Sequence, residues 1–313
     1  MNHKKQRNMR SAWTILSLVF CTLTATAQPA TKTSVLEVID IQTGQRTTLR
    51  EFPYTIEAPS WTRDGRWIVY NSQGKICRLR ADGKGDPETI NTGFATNCNN
   101  DHVLAADGKR IAISHHTHED FLSRVYTLPL KGGQPQLVTP LGPSYLHGWS
   151  PDGQMLAYCA CRDNQWDIYV IPAAGGREQR LTTAEGLDDG PEYSPDGQYI
   201  WFNSVRTGLM QIWRMKADGT EQTQMTFADD QYAWFPHVSP DGRWVSYIAY
   251  HRGDLKPDQH LPGYHVELML MPADPAEGRQ PRILAHLFGG QGSLNVNSWA
   301  PDSRRLCFVS YRE

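Results

Sequence analysis

The sequence lacks the features that would place it in several large classes of protein. After residue 27, no stretch approaches the roughly 18 consecutive apolar residues that a membrane-spanning helix needs. It has no GxSxG nucleophile elbow and no HExxH metalloprotease motif. Long apolar stripes at the helical period are also absent, which argues against a helical repeat protein. We therefore expect no membrane span in the mature chain and no serine peptidase chemistry.

Cysteine and positive charge are both scarce. Five cysteines follow residue 27, an odd and scattered set without a CxxC pair, so we do not expect disulfides to hold the fold. The whole chain has 31 Lys and Arg against 33 Asp and Glu. Four of the basic residues fall in the first ten positions, which leaves residues 28–313 clearly acidic. A nucleic acid is therefore not an expected partner.

The first 27 residues have the composition of an export signal. Basic residues precede an apolar run over 13–23, and Ala25-Thr26-Ala27 follows as a small-residue cleavage site. The pattern predicts a signal peptide at 1–27 and a mature chain that begins at Gln28 in the periplasm or outside the cell. An uncleaved anchor is the alternative.

One short sequence motif occurs six times in the rest of the chain. Each copy has an aromatic or apolar residue, a turn related to Ser-Pro-Asp-Gly, and an apolar strand. The copies begin at Trp61, Leu104, Trp149, Tyr193, Val238 and Trp299. The first five follow each other at intervals of 43 to 45 residues, and the last interval is 61. This period, with several short strands in each unit, is typical of a β-propeller blade.

The third copy shows how one blade is built. Segments 144–149, 154–160, 166–172 and 178–182 have the length and alternation of β-strands, and turn-forming residues separate them. In the turn at 150–153, Pro presets one backbone angle, Asp can accept hydrogen bonds from local amides, and Gly tolerates the exit conformation. The sequence therefore predicts an all-β, six-bladed β-propeller of four-stranded antiparallel blades, formed as one domain by residues 28–313.

The chain ends just after the second strand of the sixth copy. Val35–Ile41 and Gln45–Leu49, which are separated by a Thr-Gly turn, look like the missing third and fourth strands. We expect them to pair with Leu306–Tyr311, so that N-terminal strands complete the last blade and remove an open sheet edge.

The repeated aromatic residue, Ser-Pro-Asp-Gly turn and apolar strand resemble the TolB-like propeller repeat of bacterial envelope proteins. The resemblance covers residues 34–313, and three copies carry the full motif, at 150–153, 194–197 and 239–242. True TolB proteins place an α/β domain before the propeller. Only residues 28–33 separate the predicted cleavage point from the first strand, so we expect that domain to be lacking. The resemblance thus implies the fold but does not carry the Tol translocation role.

Candidate functional residues follow from the propeller topology. Loops that lead into each first strand, and loops between second and third strands, lie on one face around the channel mouth, where propellers usually bind. The candidate ligand-binding residues on this face are His102, His147, Asp189, Glu192, Trp234, His237 and His251. The alternative for the histidines is a structural role, with their rings bonded to backbone groups.

Three further features of this face allow two interpretations each. The histidine-rich segment 115–120 could bind a metal or form a solvated loop. Arg162 and Arg206 could clamp a carboxylate or brace adjacent blades. The fifth repeat is longer than the others, and its extra segment at 251–264 could be a lid or a tolerated surface loop.

The sequence favours a non-catalytic binding module for a protein, peptide or saccharide of the cell envelope. The alternative is a metal-assisted lyase or hydrolase that acts on acidic oligosaccharides through a cluster of histidines and carboxylates at the channel mouth. No catalytic residue, metal or cofactor is assigned by the sequence.

Overall fold

The computed structural model describes residues 33–278 and 280–312. The predicted signal peptide and its cleavage site lie outside these residues. No helix in the described part is long and apolar enough to cross a membrane.

The described residues form a six-bladed β-propeller, as predicted. Each of the first five blades is an antiparallel sheet whose four strands follow one another in sequence, from the channel to the periphery. Blades 1 and 2 contain β3 (Glu57–Trp61), β4 (Trp67–Ser72), β5 (Lys75–Arg80), β6 (Glu88–Thr89), β7 (Cys98–Leu104), β8 (Arg110–His116), β9 (Ser123–Pro129) and β10 (Gln136–Leu137). Blades 3 and 4 contain β11 (Ser144–Trp149), β12 (Met155–Arg162), β13 (Gln165–Pro172), β14 (Gln179–Arg180), β15 (Asp188–Tyr193), β16 (Tyr199–Ser204), β17 (Gln211–Lys216) and β18 (Thr223–Gln224).

Blade 5 is the longest blade. Its strands are β19 (Gln231–Val238), β20 (Trp244–His251), β21 (Pro262–Pro272) and β22 (Arg282–Gly290), with a short 3-10 helix at Pro275–Glu277 before β22. The extra residues of the fifth repeat extend the connection between β20 and β21 and lengthen the two outer strands.

The two ends of the described chain close the ring in blade 6. β1 (Thr33–Asp40) pairs with β23 (Arg305–Arg312) along its whole length, and β2 (Arg46–Phe52) forms the outer edge. In place of a full innermost strand, this blade has an isolated β-bridge between Trp299 and Leu306. The predicted closure is confirmed, and it buries apolar side chains of β1 against those of β23.

The hydrogen bonds within the repeated turn explain why the same residues recur in it. Ser150 Oγ donates to Asp152 Oδ1 at 2.5 Å and accepts from the amide of Met155, while Asp152 accepts from the amide of Gln154. Gly153 follows at a φ of 73°, in the left-handed region that favours glycine. Thr62 makes the same contact with Asp64 in the first copy, so a Thr there preserves the turn.

The innermost strands of blades 1 to 5 share an irregularity that positions the channel wall. Each has a register shift near its middle, at 57–60, 98–102, 146–148, 189–192 and 234–237. Such bulges re-aim side chains and commonly occur next to functional sites. Three of them contain a residue with positive φ at the corresponding place, namely Ala58, Gly190 and Phe235. The bulges divide each inner strand into a mouth-side half and a far half.

Candidate functional site at the channel mouth

The channel opens into a cavity of about 820 Å³ at the end where the inner strands begin. Its wall combines carboxylates, imidazoles, side-chain amides and aromatic rings. The residues used in the argument below are Asp101, Tyr145, His147, Trp166, Asp189 and His260. Glu57, Asp258, His116 and Phe235 also line it.

A buried charge cluster lies in this wall. Nε2 of His147 is 3.2 Å from Oδ1 of Asp189, and Asp101 is the second carboxylate that acts on the same imidazole. Burial alone would lower the pKa of His147, but Asp101 and Asp189 together raise it to about 9. Burial also raises the pKa of Asp101, to about 6, against the opposing effect of His147. Burial acts to raise the pKa of Asp189, but His147, His260 and the amide of Gly190 together outweigh it, and the pKa is lowered.

The bulges bring this cluster together. Asp101 lies in the bulge of β7, His147 lies in the bulge of β11, and Asp189 is the last paired residue before the bulge of β15. A regular strand would send neighbouring side chains to opposite faces of each blade. The irregular register instead lets residues from three successive blades meet at the mouth.

Aromatic rings line the cavity beside the charges. The rings of Tyr145 and Trp166 are 5.9 Å apart with planes inclined by 32°. On the other side, the ring of Phe235 stacks on His147 at 6.0 Å. The cavity therefore offers flat apolar surfaces next to buried carboxylates.

The β20–β21 connection reaches the mouth through His260. Its ring lies 4.4 Å from that of Trp234 and 5.0 Å from that of Phe235, and its Nε2 is 3.7 Å from Oδ2 of Asp189. The following carbonyl, of Leu261, accepts a hydrogen bond from the Tyr250 hydroxyl at 2.9 Å. The insertion predicted from repeat length is thus held against the cavity rather than extended away from it.

The seven candidate ligand-binding residues named from the sequence lie in different parts of the propeller. His147 and Asp189 line the mouth cavity and contact each other. Trp234 is fully buried behind the cavity wall, under Phe235 and His260. His251 ends β20 as an exposed residue outside the cavity lining.

Glu192 and His237 lie farther along the channel wall and contact each other. Nδ1 of His237 is 2.7 Å from Oε2 of Glu192, and its Nε2 is 3.1 Å from the carbonyl oxygen of Leu294. Oε1 of Glu192 accepts from the amide of Val238 and from Nδ2 of Asn297. This pair connects three blades.

His102 lines a second cavity, of about 410 Å³, at the opposite end of the channel. Its ring is completely buried and its pKa is lowered by burial to about 4, against a smaller opposing effect of the Val69 backbone. Neither ring nitrogen makes a well-aligned hydrogen bond within the described chain. The same cavity is bordered by the repeated aromatic residues Trp61, Trp149, Tyr193 and Trp299.

The two arginines predicted as clamp or brace form contacts within their own blades. Arg162 pairs with Glu178 at 2.8 Å and donates to the carbonyl of Pro143. Arg206 pairs with the buried Asp188 at 2.7 Å and donates to Gln222. Each arginine therefore has a structural role, and its hydrogen bonds connect the inner and outer parts of one blade rather than two adjacent blades.

The segment 115–120 forms a structured turn. Asp120 accepts from Thr117 and from the amide of Leu122, and it pairs with Arg124 at 2.7 Å. Nδ1 of His115 accepts from the amide of Asn97. Across the described residues as a whole, no group of three or more His, Cys, Asp or Glu side chains is placed to hold a metal ion.

Sequence reasoning missed Asp101, Tyr145 and Trp166 as members of the mouth wall. Asp101 is next to His102 in β7, Tyr145 is two residues before His147 in β11, and Trp166 lies near the start of β13. For Asp101 the unrecognised signal was a run of polar residues at consecutive positions of an inner strand, which a regular strand could not direct into one channel. Such runs indicate a bulge.

Comparisons with known proteins agree with this architecture. A family model for the TolB β-propeller domain matches residues 102–269. An uncharacterized protein of Agrobacterium fabrum is 44% identical over 279 residues, which make up 89% of this chain and 92% of that protein. The Tol-Pal system protein TolB of Francisella tularensis is 28% identical over 64% of this chain, and the match spans only 47% of that TolB.

Solved structures show the same relationship. A provisionally named TolB from Agrobacterium tumefaciens superposes with a TM-score of 0.85 and 42% identity, covering 90% of this chain and 99% of that one. An oligogalacturonate lyase from Vibrio parahaemolyticus has a TM-score of 0.52 and 14% identity, over 82% of this chain and 74% of its own. At that identity the lyase shares the fold alone.

Proposed function

Because the chain belongs to the TolB β-propeller family, we propose that it is an exported, non-catalytic binding module whose channel mouth takes a peptide or a segment of a partner protein in the cell envelope. The predicted signal peptide supports export. The mouth is the proposed site because its cavity, its charges and its surrounding loops all favour contact with another chain.

The observation that carries the proposal is the distribution of exposed apolar side chains. The described residues include seven large hydrophobic side chains that are exposed. Five of them lie in loops at the mouth-side ends of the blades: Phe94, Phe121, Leu141, Phe227 and Leu261. We call these five residues the rim. Exposed apolar groups collected on one face mark protein interaction sites more often than scattered ones do.

The charges of the cavity favour a peptide over an acidic saccharide. Four carboxylates line it, and no Lys or Arg is among its lining residues. A polyanionic sugar would need cationic groups, normally arginines, to pair with its carboxylates. The best placed arginines on this face, Arg162 and Arg206, are already paired with Glu178 and Asp188.

A peptide-display selection tests the proposal. Random linear peptides are selected on immobilised protein comprising residues 28–313, and binding is then measured to two variants. Trp166→Ala removes an aromatic ring from the mouth, whereas Tyr193→Ala removes a similarly half-buried ring from the opposite cavity. We expect selected peptides to lose affinity for Trp166→Ala and to keep it for Tyr193→Ala. Peptides that respond only to Tyr193→Ala, or no selected peptides, would contradict the proposal.

A further inference from the structure

The wall of the mouth cavity holds two buried carboxylates, Asp101 and Asp189, and no Lys or Arg is among its lining residues. His147, whose pKa is raised, offsets one of these two negative charges near neutral pH. Desolvated carboxylates are costly unless they are paired with cations or hydrogen-bonded. The imbalance lies in a concave pocket, where an incoming cation could correct it.

Asp101 is the carboxylate that points most directly to a ligand. It is 4% exposed and lines the cavity. Its Oδ2 accepts one hydrogen bond, from Nδ2 of Asn99 at 2.5 Å, and its Oδ1 receives none from the described residues. A carboxylate can accept several hydrogen bonds, and a buried one normally does. One acceptor atom of a nearly inaccessible acid is thus left for a donor that enters through the mouth.

The neighbouring aromatic rings favour a bound cation, as the Asp101 carboxylate does. Tyr145 and Trp166 form a shallow aromatic wall in the same cavity, with ring centres 5.9 Å apart. The faces of aromatic rings attract cations, and the planar guanidinium of arginine can stack on a ring while donating to a carboxylate. The described residues around the cavity do not combine into a metal site. An organic cation therefore fits this pocket better than a metal ion.

We propose that the mouth cavity is a recognition pocket for a basic side chain of the bound peptide, in which Asp101 accepts from a guanidinium or ammonium group that lies against Tyr145 and Trp166. This inference rests on the proposed function, since it specifies what the mouth recognises. Asp189 adds to the negative potential, while its pairing with His147 keeps it from being the direct acceptor. The rim then contacts apolar residues that flank the basic one.

The test compares two synthetic peptides that differ only in charge. The acetylated amide Gly-Gly-Arg-Gly-Gly is titrated by calorimetry against its citrulline counterpart, which keeps the shape and loses the positive charge. We expect the arginine peptide to bind at least about tenfold more tightly, as a charge-assisted hydrogen bond to a buried acid implies. Asp101→Asn should abolish this preference. Asp82→Asn, which removes an exposed acid from the opposite face, should leave it unchanged.

A measurement on the unmodified protein covers the case in which Asp101→Asn fails to fold. The ionisable groups that interact with Asp101 are His147, Asp189, Tyr145 and Cys159. The pKa of His147 is about 9, that of Asp189 is lowered and those of Tyr145 and Cys159 are raised, whereas the pKa of Asp101 is about 6. The preference for arginine should therefore be strong at pH 7.5 and should largely disappear at pH 5. Equal affinity for the two peptides at pH 7.5, or a preference that persists in Asp101→Asn or at pH 5, would overturn the inference.

The two proposals fail in different ways. Display-selected peptides that depend on Trp166 but carry no basic residue would overturn the basic-residue pocket and leave the binding function intact. A selection that yields no mouth-dependent peptide would contradict both.

Discussion

Glu192 and His237 are hydrogen-bonded at 2.7 Å across the boundary between blades 4 and 5. The same carboxylate accepts from the amide of Val238 and from Asn297, a residue of the segment that leads into blade 6. Two side chains that sequence analysis assigned to a ligand site are thus occupied in joining the ring. Of the two, Glu192 also lines the far cavity.

Glu192→Ala should destabilise the propeller. The substitution leaves three donors without their acceptor, two of them buried and one half-buried, and the loss of such a network costs about 3 kcal/mol. Chemical denaturation measures the effect as a fall in the free energy of unfolding. Glu185→Ala, at an exposed position, serves as the control and should change stability by less than about 0.5 kcal/mol. A loss below about 1 kcal/mol for Glu192→Ala would show that the network is not structural.

Closure of the ring gives a second prediction. Leu36 in β1 is fully buried opposite Val309 of β23. Leu36→Ala should lower the free energy of unfolding by about 3 kcal/mol, because it removes buried apolar contacts and leaves a cavity. Thr48→Ala, on the exposed side of β2, should have little effect in the same denaturation experiment. Similar stabilities of the two variants would mean that the N-terminal strand does not close blade 6.

The buried imidazole of His147 predicts a pH dependence of stability. Its pKa is raised to about 9 in the folded protein, above the usual value of 6.5. The stabilisation by Asp101 and Asp189 is therefore present near pH 6.5 and is lost as the pH rises through about 9, while below about pH 6 protonation of Asp101 removes its share. The melting temperature of the unmodified protein should fall more steeply over this range than that of His147→Gln.

His251→Gln is the matched control for this titration, because it removes an imidazole that is exposed. Its melting temperature should follow that of the unmodified protein at every pH. Parallel curves for His147→Gln and the unmodified protein would contradict the raised pKa.

His260 should fix the β20–β21 connection over the mouth. His260→Ala removes ring contacts with Trp234 and Phe235, so hydrogen exchange of the amides in 252–261 should accelerate by roughly tenfold. Exchange in β20 itself should not change. Lys256→Ala, in the same connection but exposed, should leave the rates as they are. Unchanged exchange in His260→Ala would show that the loop is held by its backbone contacts alone.

The fold could be predicted from the sequence because the contacts that define each blade are local and recur in every repeat. The serine, aspartate and glycine of each full turn fix the same hairpin through contacts within five residues, as Ser150 and Asp152 show. The pairing of β1 with β23 is not local, yet it followed from a half-finished repeat at one end and two spare strands at the other. A closed ring leaves few alternatives.

The mouth was harder to predict because its geometry depends on bulges. Counting positions along regular strands placed Glu192, His237 and His102 at the mouth, whereas the register shifts move them down the channel or to its far end. The same shifts bring Asp101 to the mouth. A two-residue periodicity cannot show where a strand departs from it.

Site-specific photo-crosslinking in living cells of the source organism tests the central claim most directly. A photoreactive phenylalanine analogue replaces either Phe94 or Phe227 of the rim, or one of the also exposed Leu137 and Ile283, which lie on outer strands. A protein that binds a partner through its mouth should give the same discrete adduct from both rim positions and none from the outer-strand positions. Adducts formed at Leu137 and Ile283 but not at the rim would contradict the account.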